Sequence, residues 1–192
     1  MYLIRIKNPV EDEQMSKISF PLMDKEVTAF KCNNASIEQQ VRDSYFITLL
    51  KQAYGHQIII DGNVVGYYMI YFKGIKLDEV NKIMDEEYES NMADYYMAMH
   101  IRYLAIDERV QHQGIGTYVL KVLIAEILSL SKKYPIRIIT IDALREYYEW
   151  YQHIGFKDIP GRESDGVITP MFLDCMAKED VDRLEQFCAD CM

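Results

Sequence analysis

The segment that most restricts the fold lies between residues 102 and 141. Arg102-Tyr103-Leu104-Ala105-Ile106 reads as the end of a strand, a polar turn occupies 107–113, and Gly114-Ile115-Gly116 opens a long apolar helix reaching about Ser131. After Pro135, Ile136-Arg137-Ile138-Ile139-Thr140-Ile141 is a β-branched run suited to a strand covered on both faces. Strand, glycine turn, helix and buried strand in this order specify layered α/β architecture, because each element has an apolar side that another must cover. The helix has few polar positions (Thr117, Lys121, Glu126 and Ser129 among them) and is expected to be mostly buried.

The flanking sequence supplies further elements. Residues 2–6 read as a short strand, and 36–54 as a helix with Ile37, Val41, Phe46, Leu49 and Leu50 near helical spacing. Strands over 57–61 and 64–72 flank Gly62-Asn63, a hairpin signal because both residues tolerate positive φ. An acidic insert with helical content covers 76–94. A helix over 144–153 ends at Gly155, followed by a loop over 160–166, a strand over 171–175 and an amphipathic C-terminal helix over 178–187. No repeat, low-complexity tract or linker divides the chain, and 192 residues suffice for one mixed core, so a single domain over 1–192 is expected.

Lys plus Arg number 21 against 30 Asp plus Glu, a net charge of −9 that repels nucleic acid and acidic lipid and favours a cationic partner. No apolar run approaches the roughly 18 residues of a membrane span, and the opening residues lack a signal-peptide apolar core. No membrane association is expected, and the expected location is the cytoplasm. The four cysteines, Cys32, Cys175, Cys188 and Cys191, are too few for a disulfide scaffold. Cys188-Ala-Asp-Cys191 would need two more ligands to hold zinc, so no metal site is expected.

Two glycines at a strand-to-helix turn let a ligand approach the backbone, and the N–H groups of the helix start make an anion site suited to phosphate. Walker A is excluded by the missing Gly-Lys-Ser/Thr ending, and the dinucleotide fingerprint by Val119 at its third glycine. Together with Tyr151-Gln152-His153-Ile154-Gly155-Phe156 downstream, the segment resembles the GNAT family of N-acetyltransferases. The motif Q/R-x-x-G-x-G/A is matched by Gln111, Gly114 and Gly116, and the ending Tyr-x-x-x-Gly-Phe by Tyr151, Gly155 and Phe156. Phe30-Lys31-Cys32-Asn33-Asn34, Gly66-Tyr67-Tyr68 and Leu104-Ala105-Ile106-Asp107 further resemble the branch containing toxin–antitoxin acetyltransferases. Lys31 and Asn33 stand where that branch usually has Asp and Gly, and Tyr103 interrupts its usual Arg-Leu-Ala run.

The resemblance implies an α/β (α+β) GNAT fold, a central mixed, twisted β-sheet flanked by helices with strands splayed at an acetyl-CoA slot. It implies acetyl transfer from acetyl-CoA to a primary amine by direct attack. Leu104, Ala105 and Ile106 would meet the pantetheine arm, and Gln111, His112, Gln113, Gly114, Ile115, Gly116 and Thr117 the pyrophosphate. Tyr151 would be the catalytic acid, since a phenol stays protonated at neutral pH and can serve a thiolate whose parent thiol has a pKa of about 8.5. Tyr147, Tyr148, Trp150 and Tyr151 also suit an aromatic core cluster. Leu144 and Tyr147 depart from the Asn and small residue usual in the helix before the tyrosine. His100 and Asp142 are candidate proton relays, His100 also reading as a strand histidine satisfied by its neighbours.

The acidity favours a small or peptide-borne cationic amine as acceptor. The alternatives are a toxin acting on aminoacyl-tRNA, which would have an antitoxin protein as partner and tRNA as its nucleic acid, and a non-catalytic acyl-CoA-binding sensor. A homodimer is compatible with all three.

Overall fold

A computed structural model describes residues 6–7, 15–19, 27, 29–76, 95–160 and 164–176. The acidic insert beyond Lys76, the C-terminal helix over 178–187, the Cys188/Cys191 pair and all but Ile6 of the expected first strand lie outside the described residues. The chain divides into two compact units, Met1–Phe72 with His100–Leu123, and Lys73–Met99 with Ile124–Met192.

In the first unit the strands run in the order β1-β2-β3-β4-β5. β1 (Ile6–Lys7) pairs antiparallel with β2 (Met15–Ser19), a strand the sequence did not announce, and β2 with β3 (Tyr54–Ile60). β3 and β4 (Asn63–Lys76) form the expected hairpin, but its two-residue loop is Asp61-Gly62 rather than Gly62-Asn63. Ile60 lies opposite Asn63, and φ is 50° at Asp61 and 77° at Gly62, the paired left-handed conformation that matches strand twist in tight hairpins. β5 (Tyr95–Ile106) continues into this unit from His100 onward. A Cβ on Gly66 would sit 2.4 Å from the Ala105 carbonyl oxygen, so β4 approaches β5 here as only glycine allows.

Helix α1 (Ala35–Leu49) is capped by Asn34, whose side-chain oxygen accepts from Ile37 N at 3.1 Å. It ends five residues before the expected boundary at Tyr54, which instead opens β3. Lys51 is left-handed at φ 55°, and Gly55 N donates to Thr48 Oγ1 at 3.0 Å, which draws the new strand back along the helix. Of the expected apolar residues only Val41 is fully buried, with Ile37 half-buried beside it. Glu38, Val41, Ser44 and Thr48 face inward, at the three- and four-residue steps that share a helix face, while Phe46, Leu49 and Leu50 are exposed. The core here combines Val41 with Val27, Phe30, Cys32, Ala53, Tyr67, Met69, Tyr103 and Ala105.

In the second unit the order is β4-β5-β6-β8-β7. β6 (Ile136–Leu144) pairs antiparallel with β8 (Ile168–Asp174) from Ile138 opposite Asp174 to Leu144 opposite Ile168. That ladder explains two differences from expectation: β8 starts three residues before Met171, and the helix expected from Leu144 begins later. Arg145 N donates to Val167 O at 3.1 Å, and a 3-10 turn (Arg145–Tyr147) precedes helix α3 (Tyr148–Ile154). A short strand not expected from sequence, β7 (Lys157–Asp158), pairs with β8. The β-branched run in β6 is buried almost throughout, as its composition required, and its Ile138 packs with Ile75, Ala98, Ile159 and Phe172.

Helix α2 (Ile115–Ser131) has the expected bounds but is not mostly buried. Val119, Leu120, Leu123 and Ile127 form one fully covered stripe, whereas Leu130 is exposed. No described helix is long and apolar enough to cross a membrane.

Candidate functional site

The first unit presents the glycine turn. β5 ends at Ile106, and Asp107 N donates to Val65 O at 2.8 Å, so the alternation of an antiparallel strand turns the main-chain groups of Leu104 and Ile106 away from β4. Asp107 is buried and caps the 3-10 turn Glu108–Val110 by accepting from Arg109 N at 3.0 Å. The Arg109 guanidinium grips the same carboxylate through Nε at 2.7 Å and Nη2 at 2.9 Å. That contact holds the Asp107 carboxyl below the usual carboxylate range.

His112 and Gly114 both take left-handed φ, 62° and 80°. A Cβ at Gly114 would meet nothing within 4 Å, so glycine is required there by conformation, not by space. Tyr118 N donates to Gly114 O at 3.0 Å and is the first to join the ladder of α2, so the amides of Ile115 and Gly116 have no carbonyl one turn back. These amides, at the positive end of a seventeen-residue helix, are suited to a diphosphate. Gln111 differs from the expectation in detail: its side chain turns to the protein's own main chain, with Nε2 donating to Ile106 O at 2.9 Å and Cys32 O at 3.3 Å. The Ile106 carbonyl expected to serve pantetheine therefore already accepts a hydrogen bond.

The second unit presents Tyr151. Gly155 ends α3 at φ 115°, with Gly155 N donating to Gln152 O at 3.0 Å and Phe156 N to Tyr151 O at 3.1 Å. This left-handed reversal sets the Phe156 ring edge-on to Tyr151, with centroids 5.6 Å apart, which gives the Tyr-x-x-x-Gly-Phe spacing a physical reason. Trp150 lies on the other side with a centroid separation of 4.6 Å. Tyr151 is only 6% exposed, and no described group hydrogen-bonds its hydroxyl. Burial, reinforced by Tyr147, raises its pKa well above the ordinary phenol value. The aromatic cluster thus includes the residue expected as the acid, and its burial disfavours the phenolate. Tyr148 is apart from them, its hydroxyl donating to the Asp158 carboxylate at 2.9 Å and tying α3 to β7.

Of the candidate relays, His100 is buried against Tyr71 with ring centroids 4.9 Å apart, which fits the reading as a satisfied strand histidine, and Asp142 is exposed on β6. Asn33, noted in the sequence for standing where glycine is usual, takes φ 62°, but its contact with Gln111 was not signalled there. No group of His, Cys, Asp and Glu among the described residues could hold a metal ion.

No known family's sequence profile matches the chain, and no curated protein matches it by sequence. Solved structures do match. A bacterial toxin is similar with a TM-score of 0.68 and 16% identity, over 90% of this chain and 97% of that one. AtaTR bound with acetyl-CoA is similar with a TM-score of 0.66 and 15% identity, over 89% and 97%. AtaT complexed with acetyl-methionyl-tRNAfMet is similar with a TM-score of 0.65 and 14% identity, over 90% and 99%. The chain has the fold of these toxins, a mixed sheet flanked by helices, as the GNAT resemblance implied.

Proposed function

We propose that this protein is an acetyl-CoA-dependent N-acetyltransferase whose acceptor is the amino group of an aminoacyl-tRNA, and that an antitoxin protein restrains it. The observation that carries the reading is the likeness over nine-tenths of the chain to a toxin complexed with acetyl-methionyl-tRNAfMet. It replaces the small cationic amine as the leading acceptor, although the net charge of −9 still favours that second reading.

The turn residues fit the coenzyme: left-handed His112 and Gly114 leave the amides of Ile115 and Gly116 clear of the helical ladder. Acetyl-CoA, when bound, supplies the thioester that is transferred. Tyr151 holds its proton throughout the neutral range, because burial disfavours the phenolate. The thiolate is the weaker base of the two, so Tyr151 gives up its proton only as the C–S bond breaks and regains one from the ammonium that the attacking amine has become. The acceptor amine must be neutral to attack, so the acid limb of the rate profile belongs to the amine.

The test is acetyl transfer from labelled acetyl-CoA to a mixture of charged tRNAs, run beside polyamine and peptide panels. Transfer to charged tRNA that falls at least about a hundredfold with Tyr151→Phe, while acetyl-CoA binding persists, supports the reading. Turnover of polyamines alone returns the acceptor to the second reading, and undiminished turnover in the variant removes Tyr151 from the chemistry.

A further inference from the structure

The side chain of Gln111 engages both its N–H donors and its oxygen inside the first unit. A glutamine amide has two donors and one acceptor oxygen. Both donors go to main-chain carbonyls, Ile106 O at 2.9 Å and Cys32 O at 3.3 Å, and the oxygen accepts from Asn33 Nδ2 at 3.5 Å. Two carbonyl partners can be served only by the NH2 end, so the amide orientation is fixed by its neighbours. Glu108 N adds a parallel tie to Lys31 O at 2.8 Å. Segment 31–33 is in turn fastened to α1, because Glu38 accepts from Cys32 N at 3.1 Å and Lys31 Nζ at 2.9 Å.

Two left-handed, non-glycine residues flank this knot, Asn33 at φ 62° and His112 at φ 62°. Neither conformation is intrinsically favoured, and each persists because its surroundings over-determine it. His112 is held from one side by the anchored Gln111 and from the other by the start of α2, where Tyr118 N meets Gly114 O. Asn33 occupies the position at which the toxin branch usually has glycine. Glycine would satisfy the backbone equally well but could not reach Gln111.

We infer that Asn33 and Gln111 form a latch that makes Gln111 a positioning residue: it sets the His112–Gly114 turn for the coenzyme diphosphate and couples that turn to the segment leading into α1. The coenzyme part of this inference rests on the reading given under Proposed function. Gln111 acts through the main chain of the turn and donates nothing to the ligand itself.

Asn33→Gly is the cleanest probe, since it removes the side-chain donor and relieves the left-handed strain together. The expected result is an unchanged or slightly raised melting temperature with a Kd and KM for acetyl-CoA raised about threefold and kcat preserved, the size of one exposed neutral hydrogen bond. Gln111→Met should raise both about tenfold, Gln111→Arg should recover most of the loss by again donating to the two carbonyls, and the Asn33→Gly, Gln111→Met double variant should be no weaker than Gln111→Met alone. Additive effects, or an unchanged Kd in Asn33→Gly, overturn the latch. Amide hydrogen exchange in the free protein keeps the two ideas apart: Gln111→Met should accelerate exchange at Cys32 and Glu108 whether or not acetyl-CoA binds. A wild type that fails to bind acetyl-CoA sinks the functional reading, whereas unchanged exchange in the variant sinks the latch.

Discussion

Tyr103 and Ser44, 59 residues apart in sequence, share a buried hydrogen bond between β5 and α1. Ser44 Oγ also donates its single proton to Gln40 O at 2.8 Å, so the Tyr103 hydroxyl must be the donor to Ser44. Burial raises the Tyr103 pKa well above the ordinary phenol value, which leaves it a donor at every accessible pH. The residue that interrupts the branch's usual strand run therefore brings its own partner on the facing helix.

This geometry makes the two deletions unequal. Ser44→Ala strands a buried phenol donor and should cost about 1–3 kcal/mol in urea unfolding, offset slightly by the better helix propensity of alanine. Tyr103→Phe leaves Ser44 bonded to Gln40 and should cost about 1 kcal/mol or less. Equal losses would show that the pair does not carry the donor direction assigned to it.

Gly66→Ala introduces a Cβ 2.4 Å from the Ala105 carbonyl oxygen, a contact with backbone that no rotamer can relieve. The variant should lose about 1–3 kcal/mol of stability, the usual range for overpacking. Gly62→Ala, in open space but at φ 77°, tests conformation alone and should cost about 1 kcal/mol. Comparing their urea midpoints separates close approach from backbone strain.

Acid should weaken the first unit through two carboxylates. Glu38 is held below its ordinary pKa by the Lys31 ammonium and the Cys32 amide, and Asp107 by the Arg109 guanidinium. A depressed folded pKa contributes stability that is complete above the unfolded value, about 4, and is lost as pH falls through the lower folded value. Urea midpoints should be level above about pH 5 and decline below about pH 4. Glu38→Gln and Asp107→Asn should each flatten that decline.

Cys32 and Cys175 are both buried, and burial pushes the Cys175 thiol up to about 12. Against an ordinary thiol near 8.5, Cys175 should be alkylated about a thousandfold more slowly at pH 8 in the folded protein. Peptide mapping after timed iodoacetamide treatment reads this directly, and rapid labelling of Cys175 would show that β8 opens locally.

The parts of the fold legible in sequence were those with a redundant signal. Helix α2 kept its bounds because glycines open it and Pro135 closes the connection after it, and β6 was evident from consecutive β-branched residues. The end of α1 was not legible, because Leu49, Leu50 and Tyr54 extend a helical pattern that Lys51 breaks only through its backbone conformation. The start of α3 was hidden for a complementary reason: pairing of Ala143 and Leu144 with β8 keeps the chain extended where local preference favours helix. At the glycine turn, residue types signalled the helix entry, whereas the inward direction of Gln111 depended on two carbonyls, of Ile106 and Cys32, that no local pattern encodes.

On α1 hydropathy alone does not set direction: Glu38, Ser44 and Thr48 lie inside beside Val41, while Phe46, Leu49 and Leu50 lie outside. An engineer ranking positions by greasiness would spend effort on water-facing Phe46, Leu49 and Leu50 while treating the hydroxyls of Ser44 and Thr48, which tie the helix to Tyr103 and Gly55, as expendable.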